Sequence, residues 1–220
     1  MRLYYWNNAQ DLSQMADILK SGGIGAGSAD TVVGLFADFS ALASKRLDMV
    51  KKREKRPYIV LIDSFDKLCD LVDPNEALRW RSFIHSCWPG PITLILRKHF
   101  ALIDHPYPSI AVRMPNHKPL LDLISIAGPL YSTSANKSGE PTPQSVDHLN
   151  LTVKANLSFL VADRLAHQHV NTGLHDSILP SVILDCTGQY IKIVRMAGRE
   201  PLVAQLELAY AVDFGKKESL

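Results

Sequence analysis

Cysteine is scarce in this chain: Cys69, Cys87 and Cys186 are three in 220 residues, odd in number and without C-x-x-C spacing. That pattern supports neither a disulfide framework nor a structural zinc knuckle, and a reducing, cytoplasmic setting is the expectation. A dominant charge is also missing. Lys+Arg number 24 against 22 Asp+Glu, a formal net charge of +2, which excludes a wholly basic nucleic-acid coat and an acidic disordered tail. Long apolar runs are absent too. The uncharged stretch from Leu123 to Asn136 contains Gly128 and Pro129 and falls short of the roughly 18 apolar residues of a membrane span. Asn7, Asn8, Gln10 and Asp11 stand where an export signal needs an apolar core, so no membrane or secretory role is expected.

Several motifs of catalysis are lacking as well. No G-x-x-x-x-G-K-[ST] and no G-x-G-x-x-G occurs, although Gly23, Gly25 and Gly27 alternate, so Walker-type and dinucleotide-type phosphate loops are excluded. There is no G-x-S-x-G elbow and no Cys–His pair at an interpretable spacing, which leaves nucleophilic catalysis without support. His167, His169, His175 and Asp176 carry metal-ligand chemistry, but surface histidines are the simpler reading and no metal ligand is expected.

What is present is a globular composition, 46% hydrophobic, in which helical and strand patterns interleave. Leu12, Met15, Ala16 and Leu19 recur at helical spacing within Ala9 to Lys20, and Gly22 and Gly23 stop that helix. Further helices are expected over Ala41 to Arg53, Leu68 to Val72, Glu76 to Cys87, Lys118 to Ala127 and after Pro201. Strands are expected at Ile24 to Gly27, Tyr58 to Ile62, Ile92 to Leu96, Ser109 to Arg113, Leu130 to Ser132, Phe159 to Ala162, Val182 to Asp185 and Tyr190 to Arg195. The alternation predicts an α/β fold, a twisted mixed sheet with packed helices, in one domain over residues 1–220. The motif-bearing core spans about 9–198, and a C-terminal helix and tail occupy about 199–220.

Local features then suggest chemistry. Lys45, Arg46, Lys51, Lys52, Arg53, Lys55 and Arg56 outnumber Asp48 and Glu54 in one short segment ahead of a strand. A solvated helix end accounts for such a run by itself, yet cations held at a strand edge also suit a polyphosphate. Ser132-Thr133-Ser134-Ala135-Asn136-Lys137-Ser138-Gly139 follows an apolar strand and reads either as a capping turn or as a set of hydrogen-bonding arms for a small polar ligand. Arg113 closes a β-type run before Met114-Pro115, where a guanidinium fork grips carboxylate or phosphate or makes a surface ion pair. Ser181 opens one strand and Arg195 ends the next.

In their order and spacing, Asp30-Thr31-Val32-Val33-Gly34-Leu35, Lys51-Lys52-Arg53, Trp88-Pro89-Gly90-Pro91-Ile92-Thr93, Ala111-Val112-Arg113-Met114-Pro115, the Ser132 to Gly139 segment and Pro180-Ser181 resemble the YrdC-like family. The resemblance covers about residues 9 to 198 and is to the short form of the L-threonylcarbamoyladenylate synthases. It implies a twisted α/β fold with a large open cationic cavity. The implied reaction joins L-threonine, bicarbonate and ATP, escorted by Mg²⁺, into threonylcarbamoyl-AMP and pyrophosphate. A downstream tRNA threonylcarbamoyl transferase complex is the implied partner, modifying the adenosine next to the anticodon.

Carried over by position, the resemblance makes Lys51 and Arg53 the catalytic cations at the phosphates and the carboxylated amine. Thr31, Arg113 and Ser134 would hold threonine, and Ser132, Asn136, Ser181 and Arg195 would line the nucleotide side. The chain departs from the family pattern at Ser28-Ala29, Val33 and Val182, and Lys52 with Arg56 offers an alternative register for the cation pair. A rival reading is a non-catalytic RNA-binding relative. The Lys45 to Arg56 cluster favours a contact with RNA, whereas the near-neutral total charge and the lack of aromatic-interleaved basic motifs speak against it.

Overall fold

The computed structural model describes residues 1–52, 57–102, 105–162 and 179–210. Arg53 and Arg56, and the group His167, His169, His175 and Asp176, lie outside the described residues. Among the described residues ten strands build one mixed sheet: β1 Arg2–Tyr5, β2 Ile24–Gly27, β3 Gly34–Asp38, β4 Ile59–Leu61, β5 Ile92–Arg97, β6 Ser109–Arg113, β7 Leu130–Ser134, β8 Phe159–Ala162, β9 Val182–Asp185 and β10 Lys192–Arg195. Their order across the sheet is β1-β8-β2-β3-β7-β4-β6-β5-β9-β10. The helices are α1 Ala9–Lys20, α2 Ala41–Lys51, α3 Phe65–Leu71, α4 Pro74–Arg79, α5 Arg81–Cys87, α6 Lys118–Ala127, α7 Leu151–Lys154 and α8 Glu200–Tyr210.

Local chemistry sets the helix ends. Asn8 caps α1 by accepting from the amides of Gln10 and Asp11, and Ser40 caps α2 by accepting from Ala43. The ring of His117 accepts from Leu120 at the start of α6, whose far end meets Gly128 at φ +92°, a conformation that glycine adopts without strain. Leu12, Met15, Ala16 and Leu19 of α1 face Leu120, Leu123, Ile124 and Ala127 of α6 in one buried cluster with Phe36, Leu61, Leu130 and Phe159 of the sheet. The opposite sheet face carries Leu35, Val60, Leu94, Val112, Tyr131 and Leu184, packed with Leu47 of α2, Leu68 of α3, Phe83 of α5 and Val203 of α8.

The expected helix over Glu76 to Cys87 divides at Trp80, which ends α4 and begins α5. Its indole donates to the Cys186 carbonyl at 3.0 Å, a tertiary bond that helical periodicity does not register. Two strands were not expected. β1 extends the sheet beyond the motif-bearing core by pairing parallel with β8, and β3 pairs antiparallel with both β2 and β7. β7 runs two residues beyond Ser132, keeping Ser134 in register with Gly34.

Gly25 marks the closest approach in the apolar layer, since a Cβ there would stand 2.1 Å from the Phe159 ring. Gly25→Ala is expected to cost about 1–3 kcal/mol through overpacking and Phe159→Ala about 3–5 kcal/mol through the cavity it leaves. In urea denaturation the double variant should be more stable than the sum of the two losses implies, because the methyl then enters the emptied space. The thiols offer a second check. Cys69 is exposed, whereas burial pushes Cys87 up to about 12, against a weak hydrogen bond with Ser86, and also raises Cys186. Pulse alkylation of the native chain near neutral pH should therefore label Cys69 alone, with the other two reacting only after unfolding.

Candidate active site

Side chains alternate across a pleated strand, so residues two apart share a face. On the face covered by α1 and α6, that alternation sets Ile59 and Leu61 of β4, Arg113 of β6, Ser132 and Ser134 of β7 and Ile183 of β9 around a cavity of about 260 Å³. Thr31, Ser181 and Arg195 complete its polar lining. Six of the nine residues expected from the sequence thus meet: Thr31, Arg113, Ser132, Ser134, Ser181 and Arg195. Gly34 keeps the floor open, since a Cβ there would lie 3.3 Å from the Ser132 Oγ.

Arg113 is 5% exposed, and its Nη1 donates to both carboxylate oxygens of Asp30 at 3.1 and 3.2 Å. Oδ2 of Asp30 also accepts from the Asn116 amide at 2.8 Å, which fixes the carboxylate. The Nη2 edge of Arg113 has no protein partner among the described residues. Across the cavity, Nε of Arg195 donates to the Ser181 carbonyl and its Nη2 to the Ser181 Oγ, each at 3.0 Å, while Thr93 and Ser181 share a hydrogen bond of 2.9 Å. Arg199 braces the same segment, with Nε donating to the Pro180 carbonyl at 2.8 Å and Nη2 to that of Leu179 at 3.0 Å.

Three guanidinium groups therefore act on one region that, among the described residues, Asp30 alone balances closely. Burial lowers the Arg113 pKa, Asp30 opposes that shift, and the like charge of Arg199 adds to it; burial and then Arg113 lower that of Arg195. Arginine stays protonated in proteins, so these strains are not relieved by proton loss. An anion in the cavity relieves them, and the free fork edge of Arg113 suits a planar carboxylate. Thr31, 7% exposed and without a hydrogen bond among the described residues, adds a hydroxyl to the same wall.

Lys51 and Asn136 are placed differently from the other expected residues, because neither lines the cavity. Lys51, 2% exposed at the end of α2, donates to the Ser134 carbonyl at 2.6 Å, to the Asn136 carbonyl, and to the Asn136 Oδ1 at 3.0 Å. That Oδ1 also accepts from the Ser134 hydroxyl at 2.6 Å, and the Asn136 amide donates to the Glu140 carbonyl. The ammonium thus clamps the end of β7 from behind, with Asn136 as the joint. Lys52, the alternative register, is exposed in a left-handed cap with φ 49°. Sequence reasoning missed Asp30, Thr93 and Arg199; a carboxylate beside Thr31 and an arginine four residues past Arg195 were the available signals.

Comparison with known proteins places these features in a family. The family model Sua5/YciO/YrdC, described as "Telomere recombination", matches residues 17–197. A threonylcarbamoyl-AMP synthase of Coxiella burnetii is 30% identical over 186 residues, covering 79% of this chain and 96% of that relative. One from Pyrococcus abyssi is 36% identical over 142 residues, 61% of this chain but 41% of its own length. The solved structure of Pyrococcus abyssi Sua5 complexed with L-threonine superposes with a TM-score of 0.73 at 26% identity, covering 93% of this chain and 60% of that one.

Replacing Lys51 by Met leaves buried carbonyl acceptors without their donor, and the expected loss is about 1–3 kcal/mol of folding stability. Lys52→Met, at an exposed position, should leave the urea midpoint nearly unchanged. Equal midpoints for the two variants would contradict the clamp.

Proposed function

Since the chain belongs to the Sua5/YciO/YrdC family, matched over residues 17–197, we propose that it is a threonylcarbamoyl-AMP synthase acting on L-threonine, bicarbonate and ATP. The observation that carries this reading is the cavity itself. It combines an arginine with a free fork edge, a neighbouring hydroxyl and the guanidinium of Arg195 within one hollow, with Arg199 bracing the segment that carries Ser181.

The threonine carboxylate pairs with Arg113, and the hydroxyls of Thr31 and Ser134 meet its polar atoms. The amine attacks the carbon of bicarbonate, water leaves, and a carbamate forms. A carbamate oxygen then attacks the α-phosphorus of ATP; the bond from that phosphorus to the bridging oxygen breaks, and pyrophosphate departs with the electron pair. Negative charge grows on the non-bridging and leaving oxygens, so the protein contributes positioning and electrostatic stabilisation rather than a covalent nucleophile. Arg195 and Ser181 stand on the nucleotide side with Ser132. Arg53 completes the cation set as a proposal from the sequence alone, and Lys51 acts by holding Ser134.

Mg²⁺ enters this reading as the escort of the ATP phosphates. Among the described residues no three His, Cys, Asp or Glu side chains gather as a cage, and Asp30 is already engaged by Arg113. The chemistry of the residues present therefore fits an ion held chiefly by phosphate oxygens and water. A tRNA threonylcarbamoyl transferase complex that consumes the adenylate is the proposed partner. No helix of the described residues is long and apolar enough to cross a membrane, and a cytoplasmic setting is proposed with the reading.

Purified chain supplied with ATP, Mg²⁺, bicarbonate and threonine is expected to release pyrophosphate only when both threonine and bicarbonate are present. Arg113→Ala should lower that rate about 10²–10³-fold, the scale for losing one preorganised charged donor, with the circular dichroism spectrum retained. Release that ignores threonine would sink the assignment. RNA binding with a steep salt dependence and no turnover would favour the non-catalytic relative instead.

A further inference from the structure

The sheet face opposite the arginine-lined cavity holds a second hollow, of about 540 Å³, beneath the first half of α2. Strand alternation separates the two, because Ser132 points into the first and its neighbour Tyr131 into the second. Phe39, Tyr58, Tyr107 and Tyr131 supply its aromatic walls, with ring centroids 4.9 Å apart for Phe39 and Tyr131 and 5.8 Å for Tyr58 and Tyr131. A hollow of this size, walled by aromatic rings and carrying hydroxyl and charged groups that converge on it, has the features of a small-molecule site.

Its polar groups are specific. Tyr131 is 8% exposed, and its hydroxyl, which finds no partner among the described residues, opens onto the space as a donor. Burial, and then the charge of Asp38, push its pKa up to about 12, which keeps the proton in place. Asp48 accepts from the Tyr58 hydroxyl at 2.6 Å through Oδ1, and no bond to its Oδ2 is made among the described residues. Lys45, exposed at the rim, has no ion-pair partner among them.

We propose that this hollow is a second ligand site, for a purine nucleoside monophosphate. The flat base lies against the aromatic walls, a ring nitrogen accepts from the Tyr131 hydroxyl, an exocyclic amine donates to Asp48, and the phosphate meets Lys45. An adenine ring offers that donor and acceptor pair together. A hydrocarbon ligand, which carries no acceptor, would leave the Tyr131 donor unpaired. The inference stands apart from the synthase reading, since apart from Pro57 and Tyr58 the residues that line this hollow do not line the first cavity.

Calorimetric titration with AMP tests it in a background where the first cavity is impaired. Arg195→Ala chain is expected to bind one equivalent of AMP, and adding Ser44→Trp, which projects an indole into the hollow, should weaken that binding at least tenfold. Tyr107→Ala supplies a second variant if the tryptophan prevents folding, with the same expected direction. The proposal is overturned by an Arg195→Ala chain that binds no AMP, or by binding that neither change weakens. Failure of pyrophosphate release, by contrast, bears only on the synthase assignment.

Discussion

The pleat of the sheet is the constraint on which the molecule depends. With side chains alternating from face to face, every strand serves two environments, and one residue of slippage exchanges them. In β7 this places Leu130 and Ser132 on one side and Tyr131 on the other. In β4 it sends Ile59 and Leu61 one way and Val60 the other. The apolar members build two cores, and where α1 and α6 stop covering their face, the same rows continue as hydroxyls and guanidinium groups. Core and cavity are thus consecutive stretches of one surface.

Charge gives that surface its selectivity. Arg195 and Arg199 each place part of the fork on the backbone of residues 179–181, and Arg113 places one nitrogen on Asp30. These bonds hold the cations in position before any anion arrives, so little reorganisation accompanies binding. Asp30 has a double effect. It lowers the cost of burying Arg113, yet as a single carboxylate it leaves the described residues of the region net positive.

The fold was legible where a single element carries its own signal. Helical spacing in Ala9 to Lys20 and Lys118 to Ala127, closed by glycine, located α1 and α6 because one buried stripe and one stop suffice. The division at Trp80 was not legible, since it follows from a bond to Cys186 more than a hundred residues away. β3 was hidden because its first four residues are all buried, so it lacks the alternation of a half-exposed strand. Among site residues, Arg113 was legible as a guanidinium closing a β-type run, whereas Ser134 entered through the family resemblance, because the expected strand stopped at Ser132 and β7 continues to Ser134. The position of Lys51 could not be read, because its burial against the carbonyls of Ser134 and Asn136 arises only when α2 meets the end of β7. The aromatic basket of Phe39, Tyr58, Tyr107 and Tyr131 was likewise invisible, being drawn from four separate segments.

Pro57 and Tyr58 border both hollows, so the two residues that lead into β4 are a partition between opposite faces of the sheet. Linkage makes such a partition reciprocal: a molecule on one side that changes the affinity of the other by some factor has its own affinity changed by the same factor. Cross-talk between the faces thus needs no distant relay, because two consecutive residues serve both.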